Sequence, residues 1–235
     1  MSSLDNLKDH IFDFEIGELI LIDKPTGWTS FDVVNKLKSS LKIKKVGHAG
    51  TLDPMATGLL IICTGKKTKE IDIYQGQEKE YIFQLELGKI TPSYDSETEV
   101  TEQKDFSLVT IQHIKTVAET FLGKQLQMPP AYSALKINGK RAYTLARKGE
   151  VVELKAREIE IKEFEIQEVN FPFVTARIVC SKGTYVRSLI HDLGQKLGCG
   201  AYMTALRRTR IGNFEINQSA PVQEFVDFVK ERNSL

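Results

Sequence analysis

The sequence predicts an α+β fold with a mixed, largely antiparallel central sheet and flanking helices. Three observations predict it. Strand-like and helix-like runs occur in mixed order, without the regular βαβ repetition of a doubly wound sheet. Several of the strand-like runs alternate apolar and polar residues with a period of two. The chain of 235 residues is 41% hydrophobic and 27% charged, an ordinary balance for a folded domain with a sizeable core.

Residues 1–16 are polar and mixed, and read as a weakly ordered lead-in. Residues 17–23 read as a strand stopped by Lys24-Pro25-Thr26-Gly27. Ser30 fits the N-cap of a helix over about 31–41, with Phe31, Val34, Leu37 and Leu41 on one face. The run 59–63 (LLIIC) reads as a buried strand, and 68–74 as a short helix or turn. Tyr81, Phe83, Leu85 and Leu87 share one face of an alternating strand.

Residues 91–105 are polar and acidic, hence loop or edge. Ile111, Ile114, Val117, Ala118, Phe121 and Leu122 recur at helical spacing, with Gly123 as the stop. Asn138-Gly139 signals a hairpin turn, followed by a short basic helix from Lys140 to Lys148. Residues 150–170 carry seven glutamates, and their alternation slips at Lys162-Glu163, which predicts a bulge. A strand follows over 173–180. A helix beginning near Thr184 buries Val186, Leu189, Ile190, Leu193 and Leu197 and closes at Gly198, and 222–231 form one more helix.

Composition narrows the function. Net charge is only +1, so a polyanionic partner must be met by local patches. No secretory signal or membrane-length apolar run is visible, and three scattered cysteines suit buried thiols in a reducing compartment, so the expectation is a cytoplasmic protein away from membranes. The four histidines and three cysteines show no metal-site spacing, so no metal is expected. The stretch Thr64-Gly65-Lys66-Lys67-Thr68 lacks the earlier glycine and the hydroxyl of a phosphate loop, which excludes a P-loop NTPase.

The stretch from Gly47 to Leu60 is the most informative. Between Val33 and Lys69 there are eight lysines, no arginine and one acid, Asp53. Glycines at 47, 50 and 58 permit tight turns and close backbone approach. Asp53-Pro54 suits a turn or helix start, and a lone carboxylate inside a basic stretch equally suits chemistry on a polyanion. Spacing does not choose between them. Arg187 falls in a helix's first turn, where the dipole disfavours a cation; a nearby carboxylate or phosphate offsets that, and a surface arginine is the plain alternative. Arg207-Arg208-Thr209-Arg210, with Lys36–Lys45, Lys66–Lys69 and Lys140–Lys148, forms a candidate phosphate-binding surface, although charge runs are often merely solvated faces. Tyr81 is either a core aromatic or a stacking platform for a base.

Together these segments resemble the bacterial TruB family, whose members convert uridine 55 of the tRNA T-loop to pseudouridine. The likeness runs from about Leu19 to Gly212. It is carried by Lys24-Pro25-Thr26-Gly27-Trp28-Thr29-Ser30, by Gly47 through Leu60, by Lys79-Glu80-Tyr81, by the segment from Met128 to Lys136, by Ser181 through Arg187, and by Leu206-Arg207-Arg208. The resemblance implies a pseudouridine synthase fold in one catalytic domain, with an RNA-gripping insertion at about 124–156. Pro92-Ser93-Tyr94-Asp95 matches the family's acidic loop only loosely, so the role of Asp95 is open. Only about 23 residues follow Gly212, so no separate C-terminal RNA-binding domain is expected.

The resemblance also implies site roles. Asp53 is the nucleophile, Arg187 its ion-pair partner, and Tyr81 stacks on the flipped base. His48, Tyr185 and Leu206 line the pocket, and Lys24 and Pro25 brace the Asp53 loop. Lys69, Met128, Pro129, Arg207 and Arg208 contact the RNA. No cofactor is implied, because isomerisation involves no redox step. The expected partner is the tRNA T-stem loop, bound by a monomer with no obligate protein partner. Two other readings stay open: an RNA-binding module without catalysis, and a synthase acting on ribosomal or messenger RNA.

Overall fold

The structure, a computed structural model, describes residues 4, 7–133, 135–137, 139–146 and 154–233. In chain order these form β1 (Leu19–Lys24), α1 (Ser30–Ser40), β2 (Val46–Ala49), β3 (Thr57–Thr64), α2 (Ile71–Gly76), β4 (Lys79–Leu87), β5 (Lys89–Ile90), β6 (Glu102–Gln103), α3 (Ile111–Glu119) and β7 (Gly123–Gln127). There follow β8 (Lys136–Ile137), β9 (Lys140–Arg141), α4 (Ala142–Ala146), β10 (Arg157–Asn170), β11 (Phe173–Cys180), α5 (Val186–Lys196), β12 (Ala201–Ile211), β13 (Phe214–Glu215), β14 (Ala220–Pro221) and α6 (Val222–Asn233). The chain divides into two compact units, Met1–Tyr81 with Leu206–Leu235, and Ile82–Ala205.

In the first unit the strand order is β14-β1-β3-β12, with β2 also on β3 and β13 on β12. The β1–β3 and β2–β3 pairs are antiparallel; β1–β14 and β12–β3 are parallel. From Gly58 to Thr64 every residue of β3 is buried, which explains its unbroken apolar run. Leu60 and Ile62 face a core with Ile20, Ile22, Val34, Leu37, Phe225 and Val226. Leu59, Ile61 and Cys63 pack with Ala49 and Ile211. Each fully buried aliphatic side chain contributes roughly 1.5–3 kcal/mol of transfer free energy.

The described part of the lead-in is not loose. Leu4, Leu7, Phe12 and Phe14 pack on this core, and Phe12 meets Phe225 edge-on at 5.6 Å. Apolar residues spaced through a polar stretch hid that docking. Helix α1 begins one residue earlier than expected. Its N-cap is Thr29, locked with Asp32 in a reciprocal capping box (Asp32 N–H to Thr29 Oγ1, 3.0 Å; Thr29 N–H to Asp32 Oδ2, 2.8 Å). Ser30 lies inside the helix and is buried, while Phe31 is 62% exposed, so the buried face is Val33, Val34 and Leu37.

In the second unit β4, β11, β10 and β7 are neighbours in that order, and the β10–β11 and β10–β7 pairs are antiparallel. Phe83, Leu85 and Leu87 are buried along β4 as the alternation predicts. The β10–β11 register shifts at Ile161/Glu163, the expected bulge, and again at Ile166/Glu168. Helix α3 packs on β10 and α5, but it ends at Glu119. Gly123, at φ +90°, opens β7 instead of closing the helix. The hairpin forms, with Ile137 opposite Lys140; Asn138 and residues 147–153, including Lys148 and Gly149, lie outside the described residues. The basic segment after it is two residues of strand and then α4, rather than helix throughout. The eleven-residue β12 corresponds to no strand expected from the sequence, because three arginines in four positions masked its period.

Candidate active site

The Asp53 loop joins β2 to β3. Asp53 is half-buried and precedes a tight turn at Pro54-Met55, closed by the Ala56 amide donating to Asp53 O at 3.1 Å. The turn reading therefore holds for the backbone, and no helix starts there. Segment 24–30 wraps the loop. Gly27 N–H donates to Pro54 O at 2.8 Å, and Thr26 Oγ1 to Met55 O at 3.3 Å. Ser30 Oγ accepts the Leu52 amide at 2.8 Å and donates to Leu52 O at 3.2 Å, which is why this serine does not cap α1.

Lys24 is fully buried and spends its ammonium on three carbonyls: Pro25 O (2.9 Å), Trp28 O (2.5 Å) and Pro54 O (3.3 Å). Burial, with help from Arg208, pushes its pKa down to about 8, against the opposing pull of Asp53 and Asp32. Lys24 is thus both a brace for the loop and a countercharge to Asp53.

Arg208 braces the loop from the other side. Expected on a phosphate-binding surface, it is instead 1% exposed, donating from Nε to Leu59 O (2.7 Å) and from Nη2 to Gly50 O (3.1 Å). Its backbone lies against Gly58 in the parallel β12–β3 register. A Cβ on Gly58, at φ +106°, would fall 2.3 Å from Arg208 O, so this glycine is required by close approach. Arg207 and Arg210 are likewise engaged, Arg207 with Asp23 (2.7 Å) and Arg210 with Glu78 (2.8 Å). The arginine cluster is therefore largely an internal framework. Parallel pairing of segments about 150 residues apart produced it, and sequence pattern carries no trace of that pairing.

His48, on β2, is half-buried; burial foremost, then the positive Arg208, lowers its pKa, which favours the neutral imidazole. Tyr81 is 9% exposed on the face of β4 that carries Phe83, and Leu206 is 8% exposed. Lys69 is exposed on a short 3-10 turn, Gly65–Glu70.

The second unit builds a different charge arrangement. Arg187 lies in the first turn of α5 and is 3% exposed. The anion that offsets the helix dipole within this unit is Asp95, whose Oδ2 stands 3.2 Å from Arg187 Nη1. Arg187 also donates to Ser93 O (3.3 Å) and Tyr132 O (2.9 Å). Asp95, 1% exposed, accepts Ser93 Oγ (2.6 Å) and the Glu97 amide (2.9 Å) on Oδ1. Thr91 Oγ1 donates to its carbonyl at 2.7 Å. The acidic stretch expected to be plain loop thus contains a buried polar knot.

Tyr185 is the N-cap residue of α5. Its amide donates to Gln127 Oε1 (2.8 Å), its carbonyl accepts from Gln127 Nε2 (3.0 Å), and the Arg157 guanidinium lies over its ring at 4.2 Å. Gln127, 3% exposed, is a positioning residue that no sequence signal marked. Met128 is 53% exposed, and its carbonyl accepts Ser188 Oγ at 2.8 Å; Pro129 is buried. No group of three or more metal-ligating side chains occurs among the described residues. Nor is any described helix long and apolar enough to cross a membrane.

Residues 38–186 match the family described as TruB family pseudouridylate synthase (N terminal domain), and residues 187–234 match tRNA pseudouridylate synthase B C-terminal domain. The chain is 49% identical over 225 residues to tRNA pseudouridine synthase B of Parabacteroides distasonis, covering 93% of this chain and 96% of that protein. It is 48% identical over 206 residues to the Clostridium tetani protein of the same name, covering 88% of this chain and 71% of the other. Among solved structures, a chain of a Cbf5-Nop10-Gar1 complex superposes with a TM-score of 0.73 at 30% identity over 94% of this chain. A chain of an H/ACA RNP bound to a substrate RNA containing 2'-deoxyuridine gives 0.71 at 28% identity over 94% of this chain. The match spans somewhat over half of each of those two chains, 57% and 56%.

Proposed function

Because this chain belongs to the TruB family of pseudouridylate synthases, we infer that it isomerises uridine to pseudouridine in tRNA, at uridine 55 of the T-loop. The observation that carries this reading is the Asp53 loop: a half-buried carboxylate on a turn braced by Lys24, Ser30 and Arg208. A nucleophile needs its carboxylate held in one place, yet reachable by a substrate base taken out of its stack.

In this reading Asp53 attacks the flipped nucleotide and forms a covalent intermediate. The N1–C1′ glycosidic bond breaks, the base turns, C5 bonds to C1′, and the C5 proton is lost as Asp53 leaves. Arg187 serves as the guanidinium countercharge to Asp53, with its own orientation fixed by Asp95. Tyr81 stacks on the base and takes part in proton removal from C5, while His48, Tyr185 and Leu206 shape the pocket. Lys24 and Pro25 hold the loop, and Lys69, Met128 and Arg207 contact RNA, with residues 124–156 gripping the stem and the buried Pro129 setting the path of the chain after Met128. The catalytic machinery lies in one domain, acting in the cytoplasm as a monomer without cofactor.

The test is release of tritium from 5-tritiated uridine in an unmodified tRNA transcript. Stoichiometric release is expected, and none from a transcript carrying cytidine at position 55. Equal release from both transcripts overturns the assignment to uridine 55; no release from either overturns the activity on tRNA.

A further inference from the structure

Where β3 ends, the first unit carries a cleft away from the Asp53 turn, in which Lys69 is joined by lysines that take no part in the proposed reaction. It has a volume of about 570 Å³ and is lined by residues 12–15, 42–45, 65, 66 and 69. Its walls are tied together through the backbone: the Gly65 amide donates to Lys45 O (2.9 Å), the Lys66 amide to Ile16 O (3.1 Å), and the Thr64 amide to Glu18 O (2.9 Å). A Cβ on Gly65, at φ +49°, would stand 2.3 Å from Glu15 O, so the two walls meet at van der Waals limits. The cleft is built into the fold and does not depend on a loose loop.

Its charge is unbalanced. Five lysines (42, 44, 45, 66 and 69) face two carboxylates, and both carboxylates are occupied. Asp13 Oδ1 accepts the amides of Glu15 (3.0 Å) and Ile16 (2.9 Å), and Glu15 Oε1 takes the Lys44 ammonium at 2.6 Å. Lys42, Lys45, Lys66 and Lys69 are exposed, and none makes an ion pair with a described residue. Lys42 also sits at φ +53°, the left-handed position after a helix end where glycine is favoured.

Four lysines without an ion pair to a described residue outnumber the one remaining carboxylate, Asp13, which is held by backbone amides. The resulting net positive charge on converging walls is relieved by a chain of anions rather than by one. Lysine ammonium groups are point charges without the planar fork that grips a single phosphate bidentately, which suits a ribose-phosphate backbone read without regard to sequence. The position separates this cleft from the reaction: Asp53 precedes β3 and Gly65 follows it, and eight residues of strand span about 23 Å.

We propose that the cleft is a second docking site, for the ribose-phosphate backbone of the substrate RNA, holding a stretch roughly 20 Å from the target uridine. This rests on the reading of the protein as an RNA-modifying enzyme. It adds a contact remote from the chemistry that contributes affinity rather than specificity.

The test compares single charge reversals in the full chain, with the dissociation constant for an unmodified tRNA transcript measured at several salt concentrations. Lys66→Glu and Lys45→Glu, both exposed, are each expected to weaken binding about 3- to 10-fold near 0.1 M salt and to lower the salt slope by about 1. Lys115→Glu, an exposed lysine on α3 outside the cleft, changes net charge equally and is expected to stay within about twofold. Equal losses at all three positions mean a diffuse field and overturn the proposal, as does no loss at Lys45 and Lys66. Tritium release by the unaltered chain tests the catalytic reading separately: tRNA binding without release sinks that reading and leaves the cleft comparison intact.

Discussion

Asp53 and Asp95 are both acids set near cations in loops, and the two units treat them in opposite ways. Asp95 is buried at 1% exposure, and its charge is consumed locally by Arg187 and by donors from Ser93 and Glu97. Asp53 is half-buried, and the cations beside it, Lys24 and Arg208, spend their hydrogen bonds on the backbone carbonyls of the surrounding loop. One arrangement fixes a cation; the other fixes the backbone of a rigid turn that carries a half-buried carboxylate. The two acids differ in what their neighbouring cations bind, and the proposed reaction uses the one whose cations hold backbone.

The largest effect expected from breaking this contrast is at Asp53. Asp53→Asn removes the proposed nucleophile and should lower the rate of pseudouridine formation at least about 10³-fold. Its thermal unfolding should stay within a few degrees of the parent. Measurable turnover near the parent rate would remove Asp53 from the chemistry.

Asp95→Ala should do the reverse, acting first on the fold. It leaves the Arg187 guanidinium buried without its carboxylate, a loss of about 3–5 kcal/mol by denaturant unfolding. A stable Asp95→Ala protein with normal activity would show that Arg187 does not need the Asp95 carboxylate.

A smaller effect is expected at Lys24. Lys24→Met keeps the stem and deletes the ammonium from three carbonyls, costing about 1–3 kcal/mol at pH 7. The pH dependence has a definite sign. The folded-state pKa of Lys24, about 8, lies below its ordinary value of 10.5, so between these values the unfolded chain binds more protons and stability contributed through this group rises with pH. The parent should therefore gain stability relative to Lys24→Met between about pH 8 and 10.5, and a flat difference across that window would contradict the burial of a charged amine.

The smallest expected effect is at the helix cap. Thr29→Ala, which removes one half of the capping box on α1, should cost about 1 kcal/mol with little change in rate. A rate loss exceeding the stability loss would mean that α1 and Ser30 transmit strain to the Asp53 turn.

Much of the fold was legible because it depends on near neighbours. The alternation of β4, the unbroken run of β3, the bulge in β10 and the face of α5 all follow from side-chain period, and each occurs where the sequence implies. The Asp53 turn was legible because Asp-Pro acts locally, whereas the need for Gly58 comes from the approach of the Arg208 backbone. Errors arose where a residue had two potential partners. Ser30 looks like a cap, but Thr29 and Asp32 satisfy the helix end and release Ser30 to bind Leu52, 22 positions away. Gly123 looks like a helix stop and begins a strand.

Sequence alone determined the secondary-structure periods, the turns and the family-bearing segments, because φ/ψ preference and amphipathic spacing are set within a few residues. Only the tertiary structure decided which charges are buried. Arg208 reads as one of three surface arginines until β12 pairs in parallel with β3, and Asp95 reads as one more acid in a polar loop until it meets Arg187. The free energy of a charged group depends on what excludes water from it and on which dipoles replace that water. For Arg208 the acceptors include Leu59 O, 149 positions away, and for Asp95 the countercharge is Arg187, 92 positions away, while Ser93 and Glu97 add local donors.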